Sequence, residues 1–178
     1  MEIRRARSAL AVAILAGLTG ACSGWSLREA GPGDIHSAIA MNDPRAAKQL
    51  IAGFYPVEMG AWRWTADKFA VVLKSPDGAA HHGATLLFRM TVPDSVIGRL
   101  HDVTLSAQVR AVGGQSLTLD SQRFDKPGTY TYSRDIDARL LGNHSVRIDF
   151  SLDKSMAPTP PEQRQLGVVA KAIALRAK

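Results

Sequence analysis

Two pairs of aromatic residues are the features of this 178-residue chain whose types and spacing best suit ligand chemistry. Trp62 and Trp64 are two positions apart, as are Tyr130 and Tyr132, so within a strand each pair lies on one face. Arg134 extends the second pair along the same face. Aromatic faces pack against the C–H surface of a sugar ring, and the hydroxyls and guanidinium add hydrogen-bonding groups. The alternative is that these side chains fill the core or support a half-exposed strand, which is their commoner use.

Signatures of catalysis and metal binding are missing from the sequence. It contains no Gly-x-Ser-x-Gly, no His-Glu-x-x-His, no P-loop and no dinucleotide-binding fingerprint. His81 and His82 are adjacent, but no further ligand follows at metal-binding spacing, so we interpret them as solvated loop residues. We therefore predict a protein that is not an enzyme and uses no cofactor. A small hydrolase is the weakest alternative, because it needs two carboxyl groups or a Ser/His pair that converge in a pocket.

The beginning of the chain has the order of residues found in an export signal. Arg4, Arg5 and Arg7 precede an uncharged apolar run over residues 9–18, and small residues then lead to Cys22. A membrane-spanning helix needs about 20 apolar residues, which is more than this run offers. The segment therefore indicates a secretory signal and not a transmembrane anchor.

The end of this segment resembles the lipobox of bacterial lipoproteins in Leu18-Thr19-Gly20-Ala21-Cys22, with Thr19 where leucine is usual. The resemblance implies that residues 1–21 are removed and that Cys22 is acylated, which anchors the protein in a membrane. Each buried CH₂ contributes about 0.8 kcal/mol, so several acyl chains hold a protein there essentially permanently. Ser23 after the cysteine favours the outer over the inner membrane, and we expect an exported, periplasm-facing lipoprotein. The alternative is a plain signal peptide in which Cys22 is incidental.

Charge and cysteine content restrict the classes of partner. The three arginines and one glutamate of residues 1–21 contribute +2 to the formal net charge of +6, which leaves about +4 for the rest. The remaining basic residues are scattered, and no run is typical of a nucleic-acid-binding arm, so we expect no nucleic-acid partner. A single cysteine excludes an internal disulfide.

The elements that must position these residues are short antiparallel strands. Residues 103–110 and 146–153 alternate strictly between apolar and polar types, which predicts strands with one exposed face. Turn residues separate these from further predicted strands over residues 62–65, 69–73, 84–92, 116–119 and 129–134. Many short strands at this spacing favour a β-sandwich over a βαβ fold.

Two short helices are predicted ahead of the strands, and the last segment is ambiguous. Asp34 is placed to cap a helix over 35–41, and Asp43-Pro44 to begin one over 45–52. Residues 166–177 carry both a helical apolar stripe and a β-branched start, so their periodicity leaves helix and strand open. The predicted division is a signal over 1–21, a tether over 22–33, a helical lead-in over 34–53 and a sandwich over 54–178.

Two stretches of the predicted sandwich resemble uncharacterised bacterial modules that look like galactose-binding-type jelly rolls. The first stretch consists of residues 53–58 followed by Trp-Arg-Trp-Thr at 62–65. The second consists of Asp153-Lys154, then a proline-rich loop, then residues 162–167. Such modules occur alone in exported proteins or attached to glycosyltransferases and other envelope enzymes. The resemblance covers about residues 53–175, and it implies a mainly β, jelly-roll-like sandwich whose last segment is a strand.

The same resemblance implies roles for residues near the end of the chain. Arg164 matches an arginine that looks like a structural clamp in these modules, with Asp153 and Glu162 as its expected partners and ligand binding as the alternative. For the whole protein it implies a non-catalytic ligand-binding module of the cell envelope, with a glycan as the first expected ligand. The alternative is a structural or assembly subunit that recognises another envelope protein through an edge strand or a sheet face.

Overall fold

A computed structural model describes residues 35–142 and 144–178 of the chain. The predicted signal, the tether and Cys22 lie outside these residues. The strands are β1 (Ala38–Ala40), β2 (Leu50–Glu58), β3 (Trp62–Lys74), β4 (Ala84–Val92), β5 (Val103–Arg110), β6 (Ser116–Phe124), β7 (Gly128–Ile136), β8 (Ser145–Leu152) and β9 (Val169–Ala177). The helices are α1 (Ala79–His82), α2 (Asp94–Leu100) and two 3₁₀ helices, Pro44–Lys48 and Ala138–Leu140. In this part of the chain, no helix has the length and apolar character needed to span a bilayer.

The strands form one antiparallel sheet that nearly closes on itself. Its order is β6-β5-β8-β3-β9-β4-β7, with β1 beside β9 and β2 beside β3. The long strand β3 is shared, because its beginning pairs with β9 at Arg63 and its second part pairs with β8 from Lys68 to Lys74. The sheet therefore wraps around a single core, and the predicted mainly β, antiparallel sandwich is confirmed.

The core follows from the alternation that the sequence displays. Every second residue of β5 and of β8 is buried, as the pattern predicts for strands with one wet face. At the centre, the rings of Phe69 and Phe150 stack at 4.9 Å, and Phe88 lies 5.1 Å from Phe150. These three rings join β3, β4 and β8, so aromatic packing connects both parts of the wrapped sheet.

The prediction of a helix over 35–41 is wrong. Residues Ala38–Ala40 form β1, in which Ile39 lies opposite Ile173 of β9 and is 5% exposed. The free edge of β9 offers backbone hydrogen bonds and a buried site for Ile39, and these outweigh the weak propensity of a short isolated helix. The sheet thus begins at Ala38, inside the predicted lead-in.

The second predicted helix is present only as its first turns. Asp43 caps the 3₁₀ helix Pro44–Lys48, its carboxylate accepting a hydrogen bond from the Arg45 amide at 2.9 Å. The helix ends because the fully buried Gln49 joins the chain to β3, its carbonyl accepting from the Val72 amide at 2.9 Å. Strand β2 then starts at Leu50, where the prediction continued the helix to residue 52.

The end of the chain forms a strand, as the prediction preferred. Strand β9 pairs with β4 along one edge and with β1 and β3 along the other. This central position gives its backbone groups partners on both sides and buries Ile173 and Leu175. Helices α1 and α2 were not predicted, and His81 and His82 lie on α1 rather than in a loop.

Candidate functional site

A groove of about 360 Å³, here called the Trp64 groove, lies where the end of β2 and the start of β3 meet α2 and the segment between β8 and β9. Trp64 lines it together with Arg99 of α2. Glu58, Glu162 and Arg164 supply further charged side chains. The groove thus brings together an indole, two guanidinium groups and two carboxylates.

Arg164 is held by two carboxylates in the groove. It forms a bidentate pair with Glu162, in which Nε lies 2.9 Å from Oε1 and Nη2 lies 2.7 Å from Oε2. Its Nη1 donates to Glu58 Oε1 at 2.6 Å, and its guanidinium lies 5.2 Å from the ring centroid of Tyr55. These hydrogen bonds lower the pKa of Glu162 to about 2 and raise the pKa of Arg164 above its ordinary value.

Asp153 is not a partner of Arg164. Its carboxylate accepts a hydrogen bond from the Thr104 amide at 2.6 Å, and its own amide donates to the Thr104 carbonyl at 3.0 Å. Asp153 therefore joins the end of β8 to β5. Glu58, which lies 106 positions from Arg164 in the sequence, is the second carboxylate partner.

The two tryptophans are half-buried and meet edge to face. Their ring centroids are 6.2 Å apart and their planes are inclined by 85°. Trp64 packs against the core and lines the groove, whereas Trp62 does not line it. Because the rings are almost perpendicular, they form no flat platform, and Trp64 alone supplies an aromatic wall.

The second aromatic group lies on β7 and does not line the groove. Tyr132 is fully buried, and its hydroxyl donates to the Asp120 carbonyl of β6 at 2.8 Å. Arg134 lies over the Tyr132 ring at 4.4 Å and donates to the carbonyls of Asp120 and Ser121 at 2.8 and 3.1 Å. The half-buried Tyr130 donates to the Lys126 carbonyl at 2.9 Å. The predicted sugar-binding face at these residues is therefore wrong for Tyr132, since no ligand reaches a fully buried ring.

Tyr132 and Arg134 instead join two edges of the sheet. Strands β6 and β7 are consecutive in the chain but stand at opposite ends of the strand order. The two side chains cross from β7 to backbone carbonyls of β6. We call this junction the β6–β7 seam.

Backbone pairing fixes the loop that carries Arg164. The Thr65 amide donates to the Val168 carbonyl at 2.9 Å, and the Gly167 amide donates to the Thr65 carbonyl at 2.7 Å. The hydroxyl of Thr65 accepts a hydrogen bond from the Val168 amide at 3.1 Å. A Cβ at Gly167 would lie 2.7 Å from the backbone carbonyl oxygen of Ala66, so only glycine fits this close approach. Arg164 is thus held three residues before a tightly paired segment.

The guanidinium of Arg99 has no hydrogen-bond or ion-pair partner within residues 35–142 and 144–178. Arg99 is exposed on α2, whereas Val96 is the residue of this helix that is buried. Arg99 therefore keeps its N–H donors available in the groove that Trp64 also lines, whereas Arg164 is already occupied by carboxylates.

No protein-family model matches this chain, and no curated protein is significantly similar to it.

Of the five aromatic and charged residues that line the groove, sequence reasoning named three and missed two. Trp64, Glu162 and Arg164 were singled out, but Glu58 and Arg99 were not. Their signals are indirect: Glu58 is the last residue of β2, and Arg99 is an exposed residue of α2, which begins after Pro93. In the part of the chain that the structure describes, no three His, Cys, Asp or Glu side chains are grouped as metal ligands.

Proposed function

We propose that this protein is an exported, lipid-anchored and non-catalytic binding protein of the cell envelope, and that its Trp64 groove holds a glycan. The observation that carries the proposal is that the half-buried Trp64 and the unpartnered Arg99 line the same groove of about 360 Å³. Small-molecule sites commonly have volumes of about 300–1,000 Å³ and combine apolar walls with a few oriented polar groups.

Each part of the groove suits one feature of a sugar ring. The face of Trp64 packs against ring C–H groups, and Arg99 donates hydrogen bonds to hydroxyl or ring oxygens. The carboxylates of Glu58 and Glu162 accept hydrogen bonds from hydroxyl groups, and Arg164 holds both carboxylates in place. Because Arg164 already holds Glu58 and Glu162, these two carboxylates lose little conformational entropy when a ligand binds.

The ligand-binding part of the proposal is tested by titrating full-length protein in detergent with fragments of envelope polysaccharide, using calorimetry and tryptophan fluorescence. We expect Trp64→Leu and Arg99→Gln each to weaken binding by about tenfold, which corresponds to 1.4 kcal/mol. Arg89→Gln is the matched control, because Arg89 is exposed on β4 and does not line the groove. Equal affinity in all three variants and the wild type contradicts binding at this groove.

The lipid anchor is supported by the resemblance of residues 18–22 to a lipobox. Metabolic labelling with a radioactive fatty acid tests it, and we expect the wild type to be labelled and Cys22→Ser to remain unlabelled. Fractionation of the labelled protein between inner and outer membranes then tests the expected outer-membrane location. Equal labelling of the two proteins contradicts acylation at Cys22.

A second candidate function, assembly with another envelope protein, is favoured by the β6–β7 seam. Both seam strands are sheet edges, and such edges accept a strand from a partner chain. Leu117, which is 36% exposed, lies at the open part of the seam. If a partner strand binds there, Leu117→Lys reduces recovery of that partner after gentle solubilisation, while Trp64→Leu leaves recovery unchanged. The opposite pattern favours the groove.

A further inference from the structure

A second depression of about 400 Å³ lies on the outer face of the sheet, across β3, β8, β5 and β6. We call it the Asp149 trough. Its middle carries small side chains, because Lys68 of β3 and Ser106 of β5 both lie opposite Ser151 of β8. Two residues further along β3, Ala70 lies opposite Asp149. Its neighbours Phe69 and Val71 point into the core, so Ala70 points outward, yet it is only 3% exposed. Small residues between longer ones thus produce a recess in a face that is otherwise solvated.

Three cationic side chains and one carboxylate line this recess. Arg110 and Arg147 lie directly opposite each other on β5 and β8, an arrangement that places like charges side by side. Asp149 separates them, with its Oδ1 accepting from Arg147 Nε and Nη2 at 2.9 and 2.7 Å. Arg110 Nε lies 2.9 Å from Asp149 Oδ2. One carboxylate thus compensates two guanidinium groups, and Lys68 adds a third positive charge.

The trough retains unused hydrogen-bonding groups of both kinds. Among the described residues, the ammonium group of Lys68 has no hydrogen-bond or ion-pair partner. Asp149 is not available to a ligand, because its Oδ1 accepts from Arg147 and its Oδ2 is shielded from solvent beside Arg110. Gln108 and Ser106 line the same recess and are partly exposed. Cationic donors therefore surround acceptors that suit hydroxyl groups.

We propose that the Asp149 trough binds an acidic saccharide, separately from the Trp64 groove. The carboxylate of the sugar pairs with Lys68 and with the outer N–H groups of Arg110, whose side chain is 58% exposed. The sugar hydroxyls exchange hydrogen bonds with Gln108 and Ser106, which are partly exposed. Charge-assisted hydrogen bonds supply the preference for an anion, and the neutral polar groups distinguish a polyhydroxylated ligand from a simple ion.

The experiment is a calorimetric titration of detergent-solubilised full-length protein with an oligogalacturonate, and with the same oligosaccharide after methyl esterification. We expect the acid to bind and the ester to bind at least about tenfold more weakly, because the ester cannot form charge-assisted hydrogen bonds. Lys68→Gln should weaken binding of the acid by roughly tenfold, and added salt should weaken it in the wild type. The substitution removes a charge from the protein without removing a core contact, because Lys68 is exposed. Esterification removes the charge from the ligand and leaves the protein unchanged.

Matched variants separate this site from others. Lys74→Gln changes an exposed lysine of the same strand that does not line the trough, and we expect it to bind like the wild type. Trp64→Leu should also retain full affinity for the acid. The proposal is overturned if Lys68→Gln and Lys74→Gln behave alike, if the ester binds as well as the acid, or if inorganic phosphate at the same concentration displaces the saccharide. Loss of binding only in Trp64→Leu overturns it too, and in that case favours the Trp64 groove.

Discussion

The replacement of Thr65 by valine tests how the loop of Arg164 is held against β3. Thr65 and Val168 are both fully buried, and the Thr65 hydroxyl is the acceptor for the Val168 amide. Valine keeps the β-branched shape of threonine but removes this acceptor. The Val168 amide then lacks a partner in a place that water does not reach.

The size of the effect follows from that burial. A buried donor left without a partner costs about 1–3 kcal/mol of folding free energy. For a domain of this size, each kcal/mol lowers Tm by roughly 2–4 °C, so we expect a decrease of about 2–12 °C. The backbone hydrogen bonds between Thr65 and the 167–168 segment remain, so the fold itself should persist.

Two measurements distinguish this mechanism from a general loss of packing. Thermal unfolding gives the change in Tm, and hydrogen exchange followed by NMR gives the protection of the Val168 amide. Thr65→Ser is the matched control, because serine keeps the acceptor oxygen and loses only a methyl group. We expect rapid exchange at Val168 in the valine variant and retained protection in the serine variant. Equal protection of this amide in both variants refutes the role assigned to the hydroxyl.

Three further substitutions test other parts of the structure. Tyr132→Phe removes one hydrogen bond across the seam and should lower the free energy of unfolding in urea titrations by about 0.5–1.5 kcal/mol. The decrease stays small because the Asp120 carbonyl keeps its hydrogen bond from Arg134. An unchanged free energy would argue against a hydrogen bond across the seam. Glu162 has a pKa lowered from 4.5 to about 2 by Arg164, so its stabilising contribution is complete above pH 4.5 and is lost as the pH falls towards 2. Urea midpoints of Glu162→Gln should lack this part of the pH dependence, and identical acid profiles of variant and wild type would contradict it. Phe69→Ala should lower the free energy of unfolding by about 3–5 kcal/mol, because the ring lies at the centre of the core. A much smaller decrease in urea titrations would show that the core repacks around the substitution.

Much of the fold could be predicted because sandwich strands bury one face. The alternation of apolar and polar residues in 103–110 and 146–153 predicts β5 and β8 almost to the residue. Local signals failed where a distant edge decided the structure. Residues 35–41 carry a capping signal for a helix, but the partner of Ile39 is Ile173, at the other end of the described chain.

The candidate site was only partly predictable for a related reason. Spacing places Tyr132 on the same face as Arg134, but it does not say which face is inside, and Tyr132 proves to be fully buried. The resemblance to envelope modules suggested Asp153 as a partner of Arg164, yet Glu58 at the end of β2 is the residue that meets it. Such pairings depend on which strands become neighbours, and residue spacing does not encode that directly.

The β6–β7 seam has a consequence for the motions of the molecule. Elsewhere around the sheet, neighbouring strands are joined by ladders of backbone hydrogen bonds. This junction depends on side chains: the Tyr132 hydroxyl, the Arg134 guanidinium and the contact of the Phe124 and Tyr130 rings at 4.8 Å. Opening of the seam therefore breaks side-chain contacts but no backbone ladder. We expect amides on the outer edges of β6 and β7 to exchange with solvent faster than those of β3 and β8. Uniform exchange across these strands would argue against opening at the seam.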